Sequence, residues 1–212
     1  MNIYKETAMW DDVRVTADMV TMGELLHTAA PKRIRLYTSS ERSPSYSGIW
    51  GYSFEHGKDG KGLFQNAYFH VQLPHSYAEG TPIEPHIHIR LIPGGDAEAG
   101  QKLLLEFEYV WVNVGERAPG NSTIVPLNYE VRPEDLEGGN VLASFGMIEK
   151  SDAEISSMLS CRFSRITIED GWEDYWRPGG FENDSFKGSM VFLEFDFHIR
   201  KDTGGSREQY RK

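Results

Sequence analysis

The chain has 212 residues, 39% of them hydrophobic and 25% charged, which is enough for one sizeable core. With 32 acidic against 22 basic residues it carries a formal net charge of −10, which opposes binding to a phosphate backbone, and no apolar run nears the roughly 18 residues that span a bilayer. Its one cysteine, Cys161, excludes an internal disulfide and any zinc site built on paired thiolates, so neither nucleic acid nor a membrane is an expected partner.

The opening "MNIYKETAMWDDVRV" is acidic early and has no apolar stretch before a small-residue cleavage site, so no secretory signal is expected. Residues 1–31 hold Met9, Trp10, Met19 and Met22 but little alternation. They read as an irregular N-terminal arm, able to dock on a partner or to pack back on its own core, ahead of one β-domain over residues 32–212. Two helical patterns are expected, at 16–29 and at 151–157, where "SDAE" has the form of a capping box. Strands are expected at 33–38, 49–55, 67–73, 86–92, 103–114, 123–131, 141–147, 158–168 and 190–200. Eight or nine strands on one core predict an all-β antiparallel sandwich of jelly-roll type. The stretches "HGKDGKG", "PGGDAEAG" and "EGGN" read as hairpin-like connections. The segment 169–189 reads as a packed surface excursion, and its Trp172, Tyr175 and Trp176, with Trp10, are candidates for partner docking.

Side chains alternate across a strand, so parity assigns faces. Leu103, Leu105, Phe107, Tyr109 and Trp111 fall on one side of their strand, with Glu106 and Glu108 on the other. Val191, Leu193, Phe195, Phe197 and Ile199 oppose Glu194, Asp196, His198 and Arg200. In "PHIHIRL", Ile87, Ile89 and Leu91 oppose His86, His88 and Arg90. If these strands are neighbours, His86, His88, Arg90, Glu106, Glu108, Asp196 and His198 form one polar sheet face or subunit contact.

The spacing from Gly80 to His86 and His88 matches the start of the cupin metal motif, in which two imidazoles on one strand face share an ion. A cupin continues with a carboxylate about four residues on. Here those positions are Ile92 and Pro93, and the candidates to substitute are Glu106, Glu108 or His198. No metal and no cofactor is therefore expected, and the histidines read as a solvated or subunit-facing surface. Cys161 reads as a buried structural thiol, "NST" at Asn121 as a turn entering a strand, and no carboxylate pair stands out as acid and base. No catalytic residue is expected, and the protein is not expected to be an enzyme.

The segments "MWDDVRV", "FHVQLPHSYAEGTPIEPHIHI", "FEYVWVNVGE", "SSMLSCRFSR" and "LEFDFHIRKDTGGSREQYRK" together resemble a domain recurrent in tailed bacteriophages and prophages. The likeness covers residues 10–212 in order, with Ile89 standing where that pattern usually has an aromatic. It implies a jelly-roll-like virion structural protein with no catalytic residues, made in the bacterial host cytoplasm and located in the virion. The implied partners are further copies of itself, a trimer being favoured, and neighbouring capsid, portal, collar or tail proteins. The alternatives are a carbohydrate-binding host-recognition module that stacks sugar on Trp172, Tyr175 and Trp176, or a cupin-like metalloenzyme using His86 and His88.

Overall fold

A computed structural model describes residues 9–23, 30–37, 49–57, 63–167 and 183–202. Eleven strands are described: β1 (Met9–Thr16), β2 (Thr21–Gly23), β3 (Lys32–Tyr37), β4 (Ile49–Phe54), β5 (Leu63–Gln72), β6 (Glu84–Ile92), β7 (Lys102–Val112), β8 (Thr123–Glu130), β9 (Val141–Ser144), β10 (Met158–Thr167) and β11 (Ser189–Lys201). They form two antiparallel sheets packed as a sandwich. One runs β3-β4-β11-β6-β9, with β1 also paired to β11, and the other runs β2-β5-β10-β7-β8.

From β4 onward the partners nest: β4 with β11, β5 with β10, β6 with β9 and β7 with β8. This is one long hairpin rolled up into two sheets, the jelly-roll topology expected from the sequence. The rolling corrects the reading of the turns. "HGKDGKG", "PGGDAEAG" and "EGGN" each carry the chain from one sheet to the other, because β4 and β5, β6 and β7, and β8 and β9 lie in different sheets. Turn residues reverse the chain, but they do not say which strand the returning segment will meet.

The N-terminal segment is also more ordered than its pattern predicts. Met9–Thr16 pairs with Glu194 to Lys201 of β11, residue for residue, and buries Val15. A 3-10 turn at Ala17–Met19 follows where a helix was expected, and Thr21–Gly23 then joins the second sheet beside β5. The second expected helix, 151–157, is a run of turns. Among the described residues no helix is long and apolar enough to cross a membrane.

The core lies between the sheets and is rich in phenylalanine. Phe195 of β11 packs its ring 5.0 Å from Phe69, 5.1 Å from Phe107 and 6.2 Å from Phe163, one each from β5, β7 and β10 of the facing sheet. Such aromatic pairs add roughly 0.5–1.5 kcal/mol each beyond the burial of their area. Beside them Arg165 of β10 is buried with every donor used. Its Nε and Nη2 reach the two Asp184 carboxylate oxygens at 2.8 and 2.9 Å. Nη1 donates to the carbonyls of Phe54 and Gly188 at 3.0 and 2.8 Å, and Nη2 also to that of Phe186 at 2.8 Å. One side chain of the second sheet thus holds the end of β4 and the approach to β11 in the first. This described part of the 169–189 excursion does pack, since Phe186 and Asp184 are buried.

Candidate functional site

Two central strands of the first sheet, β6 and β11, set the site. Their antiparallel register places His86 beside Asp196, His88 beside Glu194 and Glu84 beside His198. On the far side of β11, β1 adds Arg14 beside Asp196 and Asp12 beside His198. As parity predicts, Ile87, Ile89 and Leu91 are buried in the core, while His86, His88, Asp196 and His198 share the outer face. On β11 the parity holds only from Phe195 onward. A β-bulge between Phe192 and Glu194, opposite His88 and Ile89, inserts Leu193 and shifts the alternation. Met190 and Phe192 therefore fill the core before the bulge, and Val191, expected there, lies against Gly51 instead.

The outer face here is not an open row of charges. His86 and Asp196 are only 2% and 3% exposed, although they lie on the outward side of the sheet. The Asp196 Oδ2 sits 3.6 Å from Nε2 of His86 and 3.3 Å from Nε2 of His88, and Oδ1 has no hydrogen-bond partner among the described residues. His86 Nδ1 faces the carbonyl of Glu84 at 3.4 Å, which favours a proton on Nδ1 and leaves the Nε2 lone pair directed to Asp196. His198 lies alongside, its ring centroid 4.2 Å from that of His86, and joins Asp12 at 3.0 Å to Glu84 at 3.4 Å. Ser144 of β9 donates to the other Glu84 oxygen at 2.6 Å.

Burial and the nearby Glu194 and Asp12 carboxylates push the Asp196 carboxyl up to about 7, with Arg14 opposing. Burial, followed by the neighbouring His198 and His88 rings, holds His86 below the usual imidazole value. The hydrogen bond from Ser144, then that from His198, keeps Glu84 below the usual carboxylate range against its own desolvation. Burial thus disfavours charge on both partners of the His86–Asp196 contact. A positive particle shared between them, a proton or a metal ion, relieves that cost. The group opens on a depression of about 360 Å³ that Asn140, Leu142 and Leu193 help to line.

The sequence-derived face divides in two. Glu106 and Glu108 belong to the other sheet, where Arg162 of β10 reaches them at 2.5 and 2.6 Å, so neither can supply the carboxylate missing after His88. The carboxylate that does come close to both histidines is that of Asp196, brought in from β11. Arg90 shares the histidine face but turns away, its guanidinium 5.2 Å above Tyr37 and against Gly138. Trp10 is half-exposed beneath the Arg200 guanidinium, 5.1 Å away, and its ring centroid lies 6.4 Å from that of His198 in a T-shaped arrangement. Trp172, Tyr175 and Trp176 lie outside the described residues. Asp12, Arg14, Glu84 and Ser144 were missed because only strand pairing brings them to the site. The alternation in "DDVRV" was a local signal for Asp12 and Arg14 alone. Cys161 is buried as expected, and desolvation pushes its thiol pKa up.

Neither a protein-family model nor a curated protein matches the chain. Solved structures do. The enzymatically active domain of tailspike protein 4 of bacteriophage CBA120 is 8% identical, with a TM-score of 0.37, over 90% of this chain and 19% of that one. TmCBM61 in complex with beta-1,4-galactotriose is 12% identical, with a TM-score of 0.32, over 91% of this chain and 88% of that one. A chain of infectious bursal disease virus, Gx strain, is 11% identical, with a TM-score of 0.37, over 93% of this chain and 34% of that one. The chain thus spans about a fifth of the tailspike and a third of the bursal disease virus chain.

Proposed function

We propose that the protein is a non-enzymatic structural component of a tailed-bacteriophage virion, assembling with itself and with neighbouring particle proteins on the capsid surface, the collar or the tail base. The observation that carries this reading is the ordered series of segments from "MWDDVRV" to "LEFDFHIRKDTGGSREQYRK", which resembles the recurrent phage domain along nearly the whole chain. Where those segments are described, many of their residues serve the scaffold. In "QLPHSYAEGTP" Tyr77 is buried and bridges to Lys201 at the end of β11. The same loop is fixed by Gly80, whose φ of +70° suits glycine, and a Cβ there would sit 2.9 Å from the Ser151 carbonyl oxygen.

Surface composition agrees with assembly. Trp10 and Met9 of β1, Tyr37 of β3, and Ile49 and Trp50 of β4 are exposed large apolar side chains on the first sheet. Arg33 and Arg35 hold their guanidinium groups 5.3 and 4.8 Å from the Trp50 ring. Aromatic and arginine side chains of this kind are enriched at protein interfaces. A closed cyclic oligomer, with a trimer favoured, buries such a surface without open-ended growth. The test is co-purification. Particles banded from a lysate should carry the protein at a fixed ratio to the major capsid protein, and recovery only in the soluble fraction would overturn the proposal.

A further inference from the structure

We propose that His86, His88 and Asp196 form a binding site for a single first-row divalent transition ion, with zinc the expected occupant. Three observations carry it. First, the donor atoms converge from adjacent strands and all lie within 4.8 Å of one another. A tetrahedral zinc ion with bonds of about 2.0–2.1 Å sets its ligands about 3.3–3.4 Å apart. The contacts of 3.3 and 3.6 Å to Asp196 are close to that spacing. Second, Asp196 is nine-tenths buried or more, and its Oδ1 has no hydrogen-bond partner among the described residues, a state that costs free energy unless something positive joins the group. Third, the Glu84 carbonyl faces Nδ1 of His86, the outer contact that orients a ligating imidazole through its other nitrogen.

The donor set chooses the ion class. Two imidazoles with one carboxylate suit zinc and its transition-metal neighbours, whereas calcium and magnesium take oxygen ligands. Glu194 and Asp12 add negative charge at the rim, with Arg14 beside them. The side facing the depression leaves the fourth position open to water or to a donor from a neighbouring protein. The cupin-like spacing of His86 and His88 is completed across the sheet and not along the strand. The site stands independently of the virion role.

The experiment uses the untagged full-length chain, stripped with chelator and titrated with zinc chloride by calorimetry, with cobalt(II) as a spectroscopic substitute. The expected result is one equivalent bound at micromolar or tighter affinity, and visible cobalt bands of a low-coordinate nitrogen and oxygen site. D196N, which keeps the shape of the side chain, and H88Q, at the more exposed histidine, should each weaken zinc by about 100-fold or more, the upper end of what loss of an outer-shell partner costs. His70→Gln on the other sheet should leave binding unchanged. Circular dichroism confirms the fold of each variant, and H88Q decides if D196N does not fold. No binding to the stripped chain at 100 µM zinc, or equal losses in H88Q and H70Q, would overturn the proposal.

Discussion

Replacing Arg165 by Met should destabilise the sandwich severely. The guanidinium makes five hydrogen bonds from its five donors, two to Asp184 and three to the carbonyls of Phe54, Phe186 and Gly188, with 1% of its surface exposed. Truncation leaves the Asp184 carboxylate buried, with the 3.3 Å contact from the Leu104 N–H as its other close bond. Breaking one side of a buried pair costs about 3–5 kcal/mol. In a domain of this size each kcal/mol lowers Tm by about 2–4 °C, so a fall of about 6–20 °C is expected. Arg165→Lys keeps the charge but loses the fork, and should fall between the two. The double variant Arg165→Met, Asp184→Leu removes both charges and should lose less than the sum of the single changes. Calorimetry and urea titration of the four proteins measure this cycle. A loss below about 1 kcal/mol in Arg165→Met, or strict additivity in the cycle, would refute the reasoning.

Three further outcomes are expected. Asp135 is buried, which raises its pKa, but hydrogen bonds from Arg132 and Tyr129 prevail and hold it below the usual value. Its contribution is therefore complete at neutral pH and is lost as pH falls below its ordinary 3.8 through its folded value. Asp135→Asn should cost about 1.5–3 kcal/mol at pH 7 by urea titration, and the gap from wild type should narrow in acid. The buried Cys161 thiol, its pKa raised by desolvation, should resist iodoacetamide in native protein at pH 8 and react fully in denaturant, as read by mass spectrometry. Trp10→Ala, at a half-exposed position, should shift stability by less than about 1 kcal/mol yet reduce incorporation into particles several-fold by quantitative immunoblot.

Parity made the faces of β6 and β7 legible, because Ile87, Ile89 and Leu91 on one strand and Leu103, Leu105, Phe107 and Trp111 on the other join the core from a single face, although residues on both faces of the 103–107 stretch are buried. It failed in the first part of β11, where the bulge at Leu193 is a response to packing that no local pattern announces. It also missed β1, an edge strand with only Val15 buried, whose order comes from pairing with β11 and not from an apolar stripe. The same limit hid half of the site. His86, His88, Asp196 and His198 were placed on polar faces, but the missing carboxylate was sought along the chain or on Glu106 and Glu108, which turn out to lie in the other sheet. Side-chain alternation is a local property, whereas the neighbour of a strand in a rolled-up sandwich is set by contacts a hundred residues away.

Cryo-electron microscopy of purified particles tests the virion role without relying on solution behaviour. Symmetry-related density into which this jelly roll fits is expected, with the β1, β3 and β4 surface against another particle protein. Well-resolved particles whose every density is assigned to other proteins, with this chain recovered only as free protein, would contradict it.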